Sequence, residues 1–93
     1  MSDQQSLRIV VLKEGDAFVA QCLEYDICAQ APDVETLRVR MNDLIDLECR
    51  ASLDETGLEF GGIDAAPEKF HKMWDDANRI DSPGSRLDMA LAA

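Results

Sequence analysis

The sequence predicts an α+β fold in the order β-β-β-α-(β)-α: a three-stranded antiparallel meander, with a possible fourth short strand, packed on one long helix. Three observations predict it. The first third of the chain alternates short β-branched runs with turn residues. A proline and an aspartate then open a long stretch with apolar residues at helical spacing. The 93 residues suffice for one hydrophobic core and not for two.

Leu7 to Leu12, LRIVVL, is too short for a stable helix and rich in side chains that suit a pleated surface. KEGD supplies turn chemistry, with Gly15 free to take positive φ, and Ala17 to Leu23, AFVAQCL, is the returning strand. Glu24 to Asp26 make the next tight turn. Asp26 to Ala31 give a third, shorter strand, which Pro32 ends.

Asp33 is suited to cap the helix that follows, because its carboxylate can accept an orphan amide hydrogen, and Glu35 sits favourably in the first turn. The spacing predicts this helix from Val34 to about Leu53. Val34, Leu37, Met41, Leu44 and Ala51 form its sheet-facing stripe, and Glu35, Asp43, Asp46 and Arg50 its solvated side. Val39, Leu47, Cys49 and Leu53 fall off the main stripe and mark a second contact, with another element or another subunit. Val39, Leu47 and Leu53 are therefore the candidate dimer contacts.

In TGLEFGG, Leu58 and Phe60 alternate with polar neighbours as in a short edge strand. Pro67 takes the first position of a second helix with a stripe of Phe70, Met73, Trp74, Ala77 and Ile80, ending near Arg79 before DSPGS stops it. The tail RLDMALAA has helix-forming composition but little to pack with. Residues 1–80 are thus expected to form a single domain and 81–93 a flexible C-terminal tail. There is no internal repeat, linker or low-complexity tract.

Composition bounds the function. The 46% hydrophobic and 30% charged content is that of a folded domain, and the net charge of −10 opposes phosphate backbones and anionic lipid while favouring a basic protein partner. No run is long and apolar enough to span a bilayer, and MSDQQS lacks both parts of a signal peptide, so a cytoplasmic protein is expected. Cys22, Cys28 and Cys49 fit neither a disulfide framework nor a zinc pattern. Cys22 and Cys28, equidistant from Tyr25, would face each other across a hairpin centred there, as two thiols.

Catalysis has no sequence support, and no metal site or cofactor is expected. Glu48 is the one carboxylate within the stripe of the long helix, where burial would raise its pKa; the simpler account is that it reaches water. His71 and Asp75 share a helix face, which is half a metal site at most and is simplest as a surface pair. The candidate partner-binding residues are Tyr25 and Asp26 at the turn, and Phe70 and Trp74 on the second helix. Tyr25 is read either as an exposed recognition ring or as a ring folded back on the sheet edge, and the aromatic helix packs on its own sheet before it packs on a partner.

The run FVAQCLEYDICAQ, leading straight into DVETLRVRMNDLIDL, resembles the HicB-like antitoxin family over roughly Leu7 to Phe60. The resemblance implies a truncated ribonuclease-H-like fold, and for complete toxin–antitoxin pairs a role in masking HicA, a small basic RNA-cleaving toxin. The chain departs from the family pattern at Ala31-Pro32, at Leu37, and beyond Gly62, where a Trp-bearing helix and a tail replace a DNA-binding segment. A working ribonuclease-H site needs carboxylates converging on Mg²⁺, and LRIVVL supplies none.

The expectation is therefore a non-catalytic, bacterial interaction module that masks a HicA-like toxin or another basic protein. A homodimer is expected, through a sheet edge, the second helical patch, or both. The alternative is a degenerate ribonuclease-H-like nuclease or nucleic-acid-binding protein, which the charge opposes. The terminal ALAA resembles the end of a bacterial degradation tag, though an alanine-rich tail gives the same letters by chance.

Overall fold

The computed structural model describes residues 6–80 and 85–92. The elements are β1 (Leu7–Glu14), β2 (Ala17–Cys22), β3 (Cys28–Ala31), α1 (Val34–Thr56), α2 (Glu68–Asp75), β4 (Asn78–Ile80) and β5 (Leu87–Leu91). They build a five-stranded mixed sheet in the order β3-β2-β1-β5-β4. The antiparallel meander is present as expected: Glu14 faces Ala17 across a turn in which Gly15 has φ of 61°, and β3 runs back along β2 from Cys28 to Ala31. Glycine at the first central position is what a tight II′ hairpin requires.

Three expectations are corrected. Leu87–Leu91, expected within a flexible tail of helical composition, forms β5, parallel to β1, and pairs Ile9 with Met89. The physical reason is that β1 is apolar on both faces and needs a neighbour on each edge, and that tertiary slot overrides local propensity. Leu87, Met89 and Ala90 are fully buried there; of the ALAA motif, Ala90 is thus inside the fold, while Leu91 and Ala92 are half-buried. Residues 81–84, expected to stop the second helix, and Ala93 at the end of that motif lie outside the described residues.

Leu58 and Phe60 do not form a strand. Gly57 (φ 79°), Phe60 (φ 58°) and Gly62 (φ 83°) all have left-handed backbones, which breaks any extended run. The second helix ends at Asp75, and Arg79 and Ile80 belong to β4, paired antiparallel with β5.

α1 is 23 residues long, one turn beyond the expected end. Asp33 caps it by accepting from the Thr36 amide at 2.7 Å, a bond that holds the Asp33 carboxyl below its usual pKa. The buried stripe is Leu37, Met41, Ile45 and Ser52, shifted from the expected one; Leu44 is half-buried and Ala51 exposed. It packs on the sheet face made by Leu7, Ile9, Val11, Ala20, Cys22, Leu87 and Met89. Alternation sends Val10 and Ala90, both fully buried, to the opposite face, where α2 approaches β1. Arg86 straps the start of β5 to α1, donating to the Asn42 side chain and carbonyl and pairing with Asp46 at 2.7 Å.

Candidate docking surfaces

The β2–β3 turn is held by its own polar groups. Gln21 is buried, and its side-chain amide donates to the Cys22 carbonyl and to Asp26 Oδ1, both at 3.0 Å. Glu24 accepts from the Arg8 backbone at 2.9 Å and from Arg8 Nε at 2.6 Å. The Asp26 amide donates to the Asp64 carbonyl at 2.7 Å and the Ala66 amide to the Leu23 carbonyl at 3.1 Å, which ties the turn to the loop after α1. Asp26 is therefore a brace of this turn, with its residue still exposed to solvent.

Of the two readings of Tyr25, the structure shows the folded-back ring. It stacks on Phe60 with centroids 4.1 Å apart and planes 14° from parallel, and both rings pack against the core. Cys22 is buried beside this turn, and burial pushes its thiol pKa up. Cys28 is exposed, because the ladder sets it opposite Gln21 and so turns its side chain to the other face. The cysteines do not face each other, contrary to the hairpin expectation.

Phe70 and Trp74 are half-buried on α2, and no α2 residue is fully buried. Lys69 lies over the Phe70 ring at 5.1 Å and Arg79 over Trp74 at 4.6 Å. Arg79 also pairs with Asp88 on β5, which pins the indole to the sheet. His71 Nε2 lies 3.2 Å from the Ala66 carbonyl and, among the described residues, forms no ion pair with Asp75. Among the described residues no three of His, Cys, Asp and Glu are grouped to hold a metal ion, and no helix is long and apolar enough to cross a membrane. Glu48 sits half-buried on the flank of α1.

The structure thus separates the predicted partner residues: Tyr25 closes the core under α1, while Phe70 and Trp74 lie with α2. Val39, Leu47 and Leu53 are exposed, at 58%, 63% and 41%. At about 100° per helical residue, Leu47 lies about 80° round from Val39 and Leu53 about 120° back again. With Asp43, Asp46 and Arg50 among them, they do not make one continuous seam.

Charge is distributed unevenly. Arg8, Arg38, Lys72, Arg79 and Arg86 each pair with a carboxylate of the chain. Arg40 donates to the Gln30 carbonyl on the sheet edge at 2.7 Å, and Lys13 lies over Phe18. Among the described residues, Glu14, Asp16, Asp43, Asp54, Glu55, Glu59, Asp75 and Asp76 form no salt bridge. Most of the molecule's cations have a partner within the chain, although Lys13, Arg40, Arg50, Lys69, Lys72 and Arg79 stay exposed, and carboxylates are in excess.

The sequence reading missed Leu58 as an exposed apolar residue and Glu59 beside Cys49. Leu58 is 67% exposed just beyond the glycine that ends α1. Gly57 itself was the available signal, since a glycine after a helical run marks a stop and not the start of a strand. Comparison of the chain with protein-family models, with curated proteins and with solved structures finds no significant match.

Proposed function

We propose that this chain is a non-catalytic protein-interaction module of the HicB antitoxin type, which receives and masks a small basic partner on an acidic surface. The observation that carries the proposal is the charge distribution: most arginines and lysines have a partner within the chain, while many of the more numerous carboxylates form no salt bridge among the described residues. Such a surface steers a cationic protein toward it and repels nucleic acid. The β-β-β-α order of the meander and long helix supports the family reading. Cytoplasmic placement, beside a HicA-like toxin, belongs to the same proposal.

The test is to purify the product of any small basic reading frame next to this gene and assay its RNA cleavage with and without the chain. Equimolar chain should abolish cleavage through a complex stable to gel filtration. The chain alone should neither cleave RNA with Mg²⁺ nor shift DNA at physiological salt. Metal-dependent turnover by the chain would instead support the degenerate-nuclease alternative.

A further inference from the structure

The two ends of α1 obey opposite electrostatic rules. A helix carries partial positive charge at its N-terminus and partial negative charge at its C-terminus. The first turn follows the rule, with Asp33 as cap and Glu35 beside it. The last turn contravenes it: Asp54 and Glu55 lie against the carbonyl end, and no basic residue is there. Arg50, one turn earlier, forms no ion pair with Asp54 among the described residues. Charges that weaken their own helix need another reason to be present.

The chain beyond them is a built turn. The Gly57 amide donates to the Leu53 carbonyl at 2.9 Å, and the Leu58 amide to Thr56 Oγ1 at 3.2 Å. A Cβ at Gly61 would lie 2.1 Å from Thr56 Oγ1, so only glycine lets the turn close this tightly. Closure points Phe60 inward onto Tyr25 and leaves Leu58 in solvent. Glu59 folds back to Cys49, one helical turn before Leu53; partial burial, then the carboxylates of Glu59 and Asp46, raise that thiol's pKa.

We propose that this end of the molecule, with Leu53 and Leu58 at its centre and Asp54 and Glu59 at its rim, is the docking face for a basic amphipathic segment of a partner protein. The inference rests on the reading of the chain as a protein-docking module and adds the face and the chemistry of what it receives. Charge complementarity selects the occupant. A second copy would bring the same unpaired carboxylates face to face, and phosphate-bearing ligands are repelled. A segment with apolar residues at its centre and Lys or Arg at its edges buries both leucines and supplies the cations that the last turn lacks.

The test titrates the isotope-labelled full chain with a synthetic helical peptide of Leu and Lys at i, i+3, i+4 spacing, read by amide chemical shifts. Shifts should concentrate on residues 47–59. Leu53→Ser with Leu58→Ser should weaken binding about tenfold with only a small fall in Tm, since Leu58 is largely exposed and Leu53 is partly so near the end of its helix. Asp54→Asn should also weaken binding while raising the Tm, an opposed pair of changes that a structural role for this carboxylate does not give. Shifts centred on α2 or the β3 edge overturn the assigned face but leave a docking module standing. Absence of any binding overturns both proposals. Unchanged affinity in the leucine variant, or self-association through residues 47–59, overturns the proposed occupant.

Discussion

The two faces of the sheet are covered by different chemistry. On one, α1 sets Leu37, Met41 and Ile45 against Ile9, Val11 and Met89, and each of these side chains is fully buried. On the other, α2 contributes no fully buried residue and holds its aromatic rings under the cations Lys69 and Arg79. Apolar area removed from water is the main source of stability, at roughly 25 cal/mol per Å², so the α1 face carries the fold. The α2 face is a local cover, able to open at a free energy well below that of global unfolding.

The largest effect expected is on the first face. Ile45→Ala should lose about 2–5 kcal/mol in denaturant unfolding, because the cavity lies in a closed core. Trp74→Ala should lose less, about 1–2 kcal/mol, since the ring is only half-buried and part of its cover is a solvated guanidinium. Hydrogen exchange sharpens the contrast: Trp74→Ala should speed exchange in α2 with β1 and α1 nearly unchanged, whereas Ile45→Ala should speed exchange throughout. Equal global losses from the two substitutions would break the comparison.

The α1 face was largely legible in the sequence, because a cap, a helical apolar period and a hairpin glycine are local signals. Asp33, Leu37, Met41 and Gly15 do what their spacing implies. The other half of the sheet was not, since a strand in LDMAL depends on the free edge of β1, a partner distant in sequence. One clue was present: LRIVVL is apolar without alternation, the pattern of a strand covered on both faces and paired on both edges. The candidate site was legible only in part. Exposure of Leu47 and Leu53 followed from helical phase, but that of Leu58 depends on a turn whose closure requires Gly61 against Thr56.

Thiol labelling compares the two faces across a single strand pair. Cys28 is exposed on the face opposite α1, Cys49 is half-buried on α1 itself, and Cys22 is enclosed in the core. Alkylation of the native protein at neutral pH should modify Cys28 first, Cys49 more slowly, and Cys22 only on unfolding. The raised pKa of Cys49 lowers its thiolate fraction at neutral pH, so its labelling should go on accelerating with pH past the point at which an ordinary thiol is fully ionised. Rapid labelling of Cys22 in the native state, read by peptide mass spectrometry, would show that the α1 face opens as readily as the other.

The smallest effect expected concerns what fastens α2. Arg79 makes two contacts at once, over the Trp74 ring and with Asp88, and both lie near the surface. An exposed ion pair contributes about 0.2–1 kcal/mol and is screened by salt, while a cation over an indole contributes about 0.5–1 kcal/mol. Asp88→Asn removes the first contact alone and Arg79→Gln removes both. Trp74 is the only tryptophan in the chain, so its emission reports this corner directly. Arg79→Gln should shift that emission to longer wavelength as the ring gains water, with global stability lowered by no more than about 1 kcal/mol. Asp88→Asn should leave the emission nearly unchanged, and its stability difference from the parent should vanish at high salt. If Asp88→Asn shifts the emission as far as Arg79→Gln does, the carboxylate is what positions the guanidinium over the ring, and α2 is fastened through β5.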